Sequence, residues 1–276
     1  MLKDITLGQY FPGNSFLHRL DPRVKIVMTF LYIVALFLAK SMLSFVLVLL
    51  FTAALVPVSG ISFKVILKSL KPLVFIIVFT MILNLFFTKG ESDPLVSFYF
   101  IKIYRKGLTY AVYMVVRIVC LLAGTGVLLT YTTSPIALTD GIEQLFAPLG
   151  KIKLPVHEFA MMMTIALGFI PTLVEETDKI MSAQKSRGAD FSSGGLIQRA
   201  KALIPILIPL FVSSFRRAYD LATAMECRCY RGGEGRTRMN RLHIGARDIG
   251  ALLLIVSFSA GIVLLNLFTA GIGYGL

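Results

Sequence analysis

The chain has 276 residues, 56% of them hydrophobic and 16% charged. A typical soluble domain is about 45–50% apolar and about 25% charged, so this balance, with a mean hydropathy of +0.79, excludes an ordinary soluble protein. Lys and Arg number 28 against 15 Asp and Glu, a formal charge of +13. The basic residues lie between apolar runs, as in membrane proteins, which argues against nucleic acid as a partner.

From the N-terminus, residues 1–23 carry Asp4, Pro12, Asp21 and Pro22 and are not expected to act as a cleavable signal. Apolar runs follow at 24–39, 42–58, 72–88, 108–131 and 249–267. A helix of roughly 20 residues crosses the hydrocarbon core, and these runs bracket that length. Lys3, Arg19, Arg23 and Lys25 precede the first run, and Lys64, Lys68 and Lys71 separate the second from the third. The positive-inside rule then places the N-terminus in the cytoplasm. Lys102, Arg105 and Lys106 in the 89–107 loop run against that orientation, and acidic Glu91 and Asp93 do not cancel them. The dense charge from Lys151 to Arg247 supports it.

These features predict an all-α polytopic membrane protein with about five transmembrane helices. Residues 1–133 form an N-terminal membrane domain of four spans, 134–247 a cytoplasmic or interfacial helical coupling domain, and 248–276 a C-terminal transmembrane helix. The middle segment mixes apolar stretches at 156–174 and 203–212 with many charges and with Pro148, Pro155, Pro171, Pro205 and Pro209. Counting both stretches as spans gives seven, which also leaves the C-terminus outside. Glu158, the prolines and the short second stretch favour long helices lying along the membrane.

A pattern occurs twice in this segment. Ile170-Pro171 leads to Ala183-Gln184-Lys185-Ser186-Arg187-Gly188, and Ile208-Pro209 leads to Ala224-Met225-Glu226-Cys227-Arg228-Cys229. Each unit reads as a Pro-entered helix that turns from apolar to charged and stops near glycine, at Gly188 and at Gly232-Gly233. Ala and Arg at i and i+4 share a face. Alanine lets a partner approach the backbone, while the planar guanidinium suits carboxylates. The alternative for each Arg is a cap on the helix dipole. Two copies favour docking onto two similar acidic sockets.

The Ala-x-x-x-Arg-Gly pair resembles that of the transmembrane, or T, component of energy-coupling factor (ECF) transporters. Gly8-Gln9-Tyr10 through His18-Arg19-Leu20-Asp21-Pro22-Arg23-Val24-Lys25 is similar to that family's N-terminal segment, as is Ile170-Pro171 with Glu175-Glu176 before the first motif. The resemblance covers nearly the whole chain. Cys229 departs from the glycine usual in the second motif; a frame at Arg231-Gly232 restores glycine but puts Cys227 where alanine belongs. The resemblance implies a plasma-membrane subunit that grips two cytosolic ATP-binding-cassette ATPases and a separate substrate-binding S component, for uptake of vitamins or other micronutrients. ATPase docking would then fall on Ala183, Arg187, Gly188, Ala224, Arg228 and Cys229. The other reading is the substrate-translocating permease of an ordinary ABC importer, with polar residues lining several spans.

The remaining signals are weaker. No G-x-x-x-x-G-K-[ST] occurs, and Gly232-Gly233-Glu234-Gly235-Arg236-Thr237 has the wrong spacing, so no cofactor is expected and ATP is assigned to partner subunits. Cys120, Cys227 and Cys229 form no disulfide framework and lack the four ligands of a structural zinc site. His18, His157 and His243 are scattered, and no catalytic constellation for a membrane enzyme is found. Arg117 lies within the fourth run and is expected to pair with helix ends or carbonyls, in the absence of an intramembrane carboxylate. Met161, Met162 and Met163, with Leu167 and Phe169, are either core filler or an adaptable surface for several S components. The N-terminal segment looks more like the shared than the dedicated type of T component.

Overall fold

The computed structural model describes residues 10–87, 96–98, 101–148, 155–191, 195–232 and 242–271. Lys3, Gly8, Gln9, Glu91, Asp93, Lys151 and the glycine-rich stretch 233–237 lie outside the described residues.

Helix α1 (Pro22–Leu38) begins at a strong local signal: Asp21 caps it by accepting from the Arg23 backbone N–H at 2.9 Å, with Pro22 in the first turn. Ser41 caps α2 (Met42–Ser59), and Gly60 ends it at φ +68°. Then come α3 (Phe63–Leu70), a 3-10 turn at Lys71–Leu73, and α4 (Val74–Phe87). A small antiparallel hairpin, β1 (Val96–Phe98) with β2 (Ile101–Ile103), pairs Val96 with Ile103. Helix α5 (Arg105–Thr125) runs into a π turn at Gly126–Thr130, and α6 (Pro135–Phe146), α7 (Val156–Ser186), α8 (Leu196–Cys227) and α9 (Ala246–Gly271) follow.

Six stretches are long and apolar enough to cross a membrane by length and composition: Met42–Ser59, Phe63–Phe87, Gly107–Thr130, Val156–Ser186, Ile197–Cys227 and Ala246–Thr269. Helix α1, with 17 residues, is about 26 Å long at 1.5 Å per residue, close to the roughly 30 Å hydrocarbon core. The middle segment differs from expectation. Pro171 lies inside α7 and Pro205 and Pro209 lie inside α8, so the helices do not start at these prolines but extend to 31 and 32 residues. A proline removes one backbone hydrogen bond. In apolar surroundings the other carbonyls and amides still have no partner better than the helix itself.

The described residues divide into two units, one from 10–141 and 242–271, the other from 142–232. In the first, α1 is central and packs on α5 and α9. Tyr32 is fully buried; its hydroxyl donates to the Cys120 carbonyl at 2.8 Å and lies 2.8 Å from Thr52 Oγ1. Its ring stacks on Phe51 and Phe258, which stack on each other at 4.0 Å. One side chain thus ties α1 to α2, α5 and α9. Arg117 donates to the Ala39 carbonyl at the end of α1 at 2.9 Å and lies over the rings of Phe37 and Phe45. This is the carbonyl pairing expected for a cation held at membrane depth. Asn266 of α9 bridges the α1–α2 turn, accepting from Ser44 Oγ at 2.9 Å and donating to the Leu38 carbonyl at 2.6 Å.

The N-terminal Asp-Pro-Arg segment fastens the two ends of this unit. The buried Asp248 carboxylate at the start of α9 accepts the backbone N–H of Asp21 and that of Gly245, each at 2.8 Å. Arg23 donates to the Leu242 carbonyl at 2.7 Å. Lys25, 2% exposed, donates from Nζ to the Thr132 carbonyl at 2.9 Å and to Thr133 Oγ1 at 3.2 Å. A buried charge costs several kcal/mol unless its donors are satisfied, and here they are met by carbonyls and a hydroxyl.

Candidate coupling site

The second unit carries both motifs at the C-terminal ends of its long helices. Helix α7 stops at Ser186. The N–H of Gly188 bonds back to Lys185 O at 3.0 Å, and that of Ala189 to Gln184 O at 3.0 Å. Gly188 has φ +89°. This pair of bonds with a left-handed residue is a Schellman cap. Helix α8 stops at Cys227. The N–H of Cys229 bonds to Glu226 O at 2.8 Å, and that of Tyr230 to Met225 O at 3.0 Å. Cys229 has φ +55° and is the one non-glycine with positive φ among the described residues.

The two ends share three cap bonds position for position, while the Arg187 N–H also reaches the Ala183 carbonyl at 3.2 Å, a bond that Arg228 does not make to Ala224. Arg187 and Arg228 both occupy the cap position, Ala183 and Ala224 stand one turn back, and Gly188 and Cys229 turn the chain. All six are exposed. Helix α8 ends at Cys227, short of the Gly232-Gly233 pair that the sequence suggests as its stop. Gly232, with φ +89°, lies beyond the cap, and so does Arg231. Glycine is favoured in the left-handed region because it has no Cβ, which is why Gly232 attracts the assignment. Cys229 takes that conformation at a cost of about 1–2 kcal/mol.

Further along the same helices, Glu176 of α7 accepts from Arg217 Nη2 and from Ser213 Oγ, the latter at 2.7 Å. The methionine surface is on α7 as well. Met162 is 58% exposed and Met163 40%, while Met161, Leu167 and Phe169 are half-buried. Met162 lies about 37 Å from Arg187 along the helix axis at 1.5 Å per residue, so the two candidate surfaces are separate places.

A larger apolar stripe is missed by the sequence reading. Ile204, Ile208, Phe211, Phe215 and Tyr219 of α8 are 48–74% exposed and share one face at helical spacing. The period is legible from 196 to 227 only if the helix runs through Pro205 and Pro209; ending it at the prolines hides it. Among the described residues no cluster of three or more His, Cys, Asp or Glu could hold a metal ion.

The family model CbiQ, described as cobalt transport protein, matches residues 13–239. The energy-coupling factor transporter transmembrane protein EcfT of Clostridium kluyveri is 56% identical over 92% of this chain and 93% of its own length. That of Ruminiclostridium cellulolyticum is 54% identical over 96% and 98%, and that of Bacillus subtilis 46% identical over 94% and 97%. The chain belongs to this family. It is a multi-pass membrane protein and the transmembrane T component of an energy-coupling factor transporter. The family match spans both capped helix ends and the His18–Lys25 segment, while Gly8-Gln9-Tyr10, which also carried the resemblance, lies before it.

Proposed function

We propose that this T component grips two cytosolic ATP-binding-cassette ATPases through the ends of α7 and α8, with Arg187 and Arg228 as anchors. The observation that carries this reading is the repetition of one exposed cap geometry at two helix ends, with three cap bonds at equivalent positions and a left-handed residue after each arginine. A two-site partner, such as a pair of like ATPases, is the natural match for a duplicated end. Ala183 and Ala224 leave room for close approach, and each guanidinium meets an acidic socket on one ATPase.

In the same proposal an S component, which binds the solute, docks on apolar surface of α7 and α8: Met161, Met162, Met163, Leu167 and Phe169, extended by the α8 stripe. ATP is bound by the ATPases, the N-terminus is cytoplasmic, and the subunit passes the ATPases' motion to the S component for micronutrient uptake. Replacing Arg187 and Arg228 together by Ala tests the docking. Removing a charged partner from a buried interface costs about 2–5 kcal/mol, so ATPase co-purification and ATP-dependent uptake should collapse while the chain stays in the membrane. Full uptake by the double variant would overturn the reading.

A further inference from the structure

Glu176 stands as far before Arg187 on α7 as Arg217 stands before Arg228 on α8. The step in sequence from Glu176 to Arg217 is therefore the step from one docking arginine to the other, and the two residues are equivalent under the repeat. Where two repeats are related by an approximate two-fold axis, equivalent positions meet on that axis, as at an isologous contact. Here they do touch, through an ion pair reinforced by Ser213. An approximate local two-fold between the two arms accounts for this contact, and each arginine stands about 16 Å beyond it along its helix.

The register of the two helices supports the same centre. From 176 to 188 on α7 and from 217 to 229 on α8 they run and end in step, with three cap bonds at equivalent positions. Upstream of the contact that step is lost, since Ile208-Pro209 follows Ile170-Pro171 by a shorter interval than Arg228 follows Arg187. The equivalence is confined to the arms beyond the crossing, which is what a two-pronged docking element needs.

We infer that Glu176, Arg217 and Ser213 are the pivot that sets the distance and mutual orientation of the two docking arginines. This rests on the docking reading above. A rigid pair of arms turns a change in crossing angle into equal displacements at both ends, so the pivot matters to coupling without touching any partner. Arg217 and Ser213 bind one carboxylate through its two oxygens, and holding both oxygens resists rotation of one helix about the other.

The test uses the complete transporter, with its ATPases and S component, in proteoliposomes. Glu176→Arg and Arg217→Glu are made singly and together, with Ser213→Ala as a milder variant. The spacing of the arms is read by electron–electron double resonance between spin labels at Ser186→Cys and the native Cys227, equivalent positions under the repeat, in a Cys229→Gly background. Each single reversal is expected to shift or broaden that distance and to lower uptake roughly fivefold or more, with ATPases still bound. The double reversal is expected to recover both readouts in part, and Ser213→Ala to move both in the same direction by less. Unchanged distance in the single variants, or a double reversal no better than the singles, overturns the pivot. If the singles fail to fold, Ser213→Ala decides alone, and an unchanged distance there overturns the pivot too. Failure of the docking reading is separable: the Arg187 and Arg228 variants would then transport normally while the pivot variants still shift the distance.

Discussion

Tyr32 of α1 presses against Gly124 of α5 so closely that a Cβ at position 124 would stand 2.4 Å from the phenol Cζ. Only glycine lets the two helices meet there while the hydroxyl reaches the Cys120 carbonyl and Thr52. Gly124→Ala is therefore expected to lower stability by about 1–3 kcal/mol, the usual cost of overpacking. Tyr32→Phe keeps the ring stack and loses only the hydroxyl contacts, at about 1–2 kcal/mol. Thermal unfolding of the purified chain in detergent checks both, and a wild-type midpoint for Gly124→Ala would contradict the close approach.

Asp248 supplies both oxygens to backbone amides, those of Asp21 and Gly245. Asparagine offers one acceptor and turns an amide donor toward the other N–H. Asp248→Asn should cost about 1–3 kcal/mol, the penalty for a buried donor left unmatched. Limited proteolysis should then cut earlier near residue 242, where Arg23 also anchors the chain; unchanged cleavage would argue that the clamp is dispensable.

Cys229 tests the helix end. Its left-handed backbone costs about 1–2 kcal/mol in any L-residue, against roughly 0.5–1 kcal/mol of extra chain entropy for glycine. Cys229→Gly should be neutral or stabilising by up to about 1 kcal/mol and should retain uptake. Cys229→Val, with a branched Cβ, should fray the last turn of α8. A more stable valine than glycine variant, measured by helix melting of the complex, would show that the cap does not need this conformation.

Much of this is legible in the sequence, and the reasons differ by element. The caps of α1 and α2 are local chemistry, Asp-Pro-Arg and a serine before an apolar run, and local chemistry reads directly. The spans read from run length alone. The middle segment does not, because proline reads as a boundary. In α7 and α8 it is an interruption that the rest of a 31- or 32-residue helix tolerates. The two arginines stand out by repetition, yet glycine draws the end of α8 too far along, because positive φ in cysteine has no sequence signature. The Glu176–Arg217 contact is not visible at all. Glu176 enters the sequence reading only through a family resemblance, and nothing local to it names a partner on the next helix.

Met162 offers a different kind of test, since its side chain is exposed and lies far along α7 from the Arg187 cap. Met162→Asp places a charge in an apolar surface and should weaken S-component association for every solute together, while the ATPases remain bound. Pull-downs from cells making several S components read this out. A loss confined to one S component would argue for a dedicated surface rather than a shared one.

The clamp between Asp21 and Asp248 also sets an order of events in making the protein. Helix α1 finds its neighbour α9 only after the coupling helices between them have left the ribosome. Until then the Asp21 amide and the Arg23 guanidinium lack the partners that hold them in the finished fold. Contacts so distant in sequence form late. The membrane unit is thus sealed by an element made after the coupling helices, and a chain halted within those helices would present α1 to the cell's quality control with the Asp21 amide and the Arg23 guanidinium lacking these partners. By this connectivity the membrane unit closes only after the coupling segment has been made.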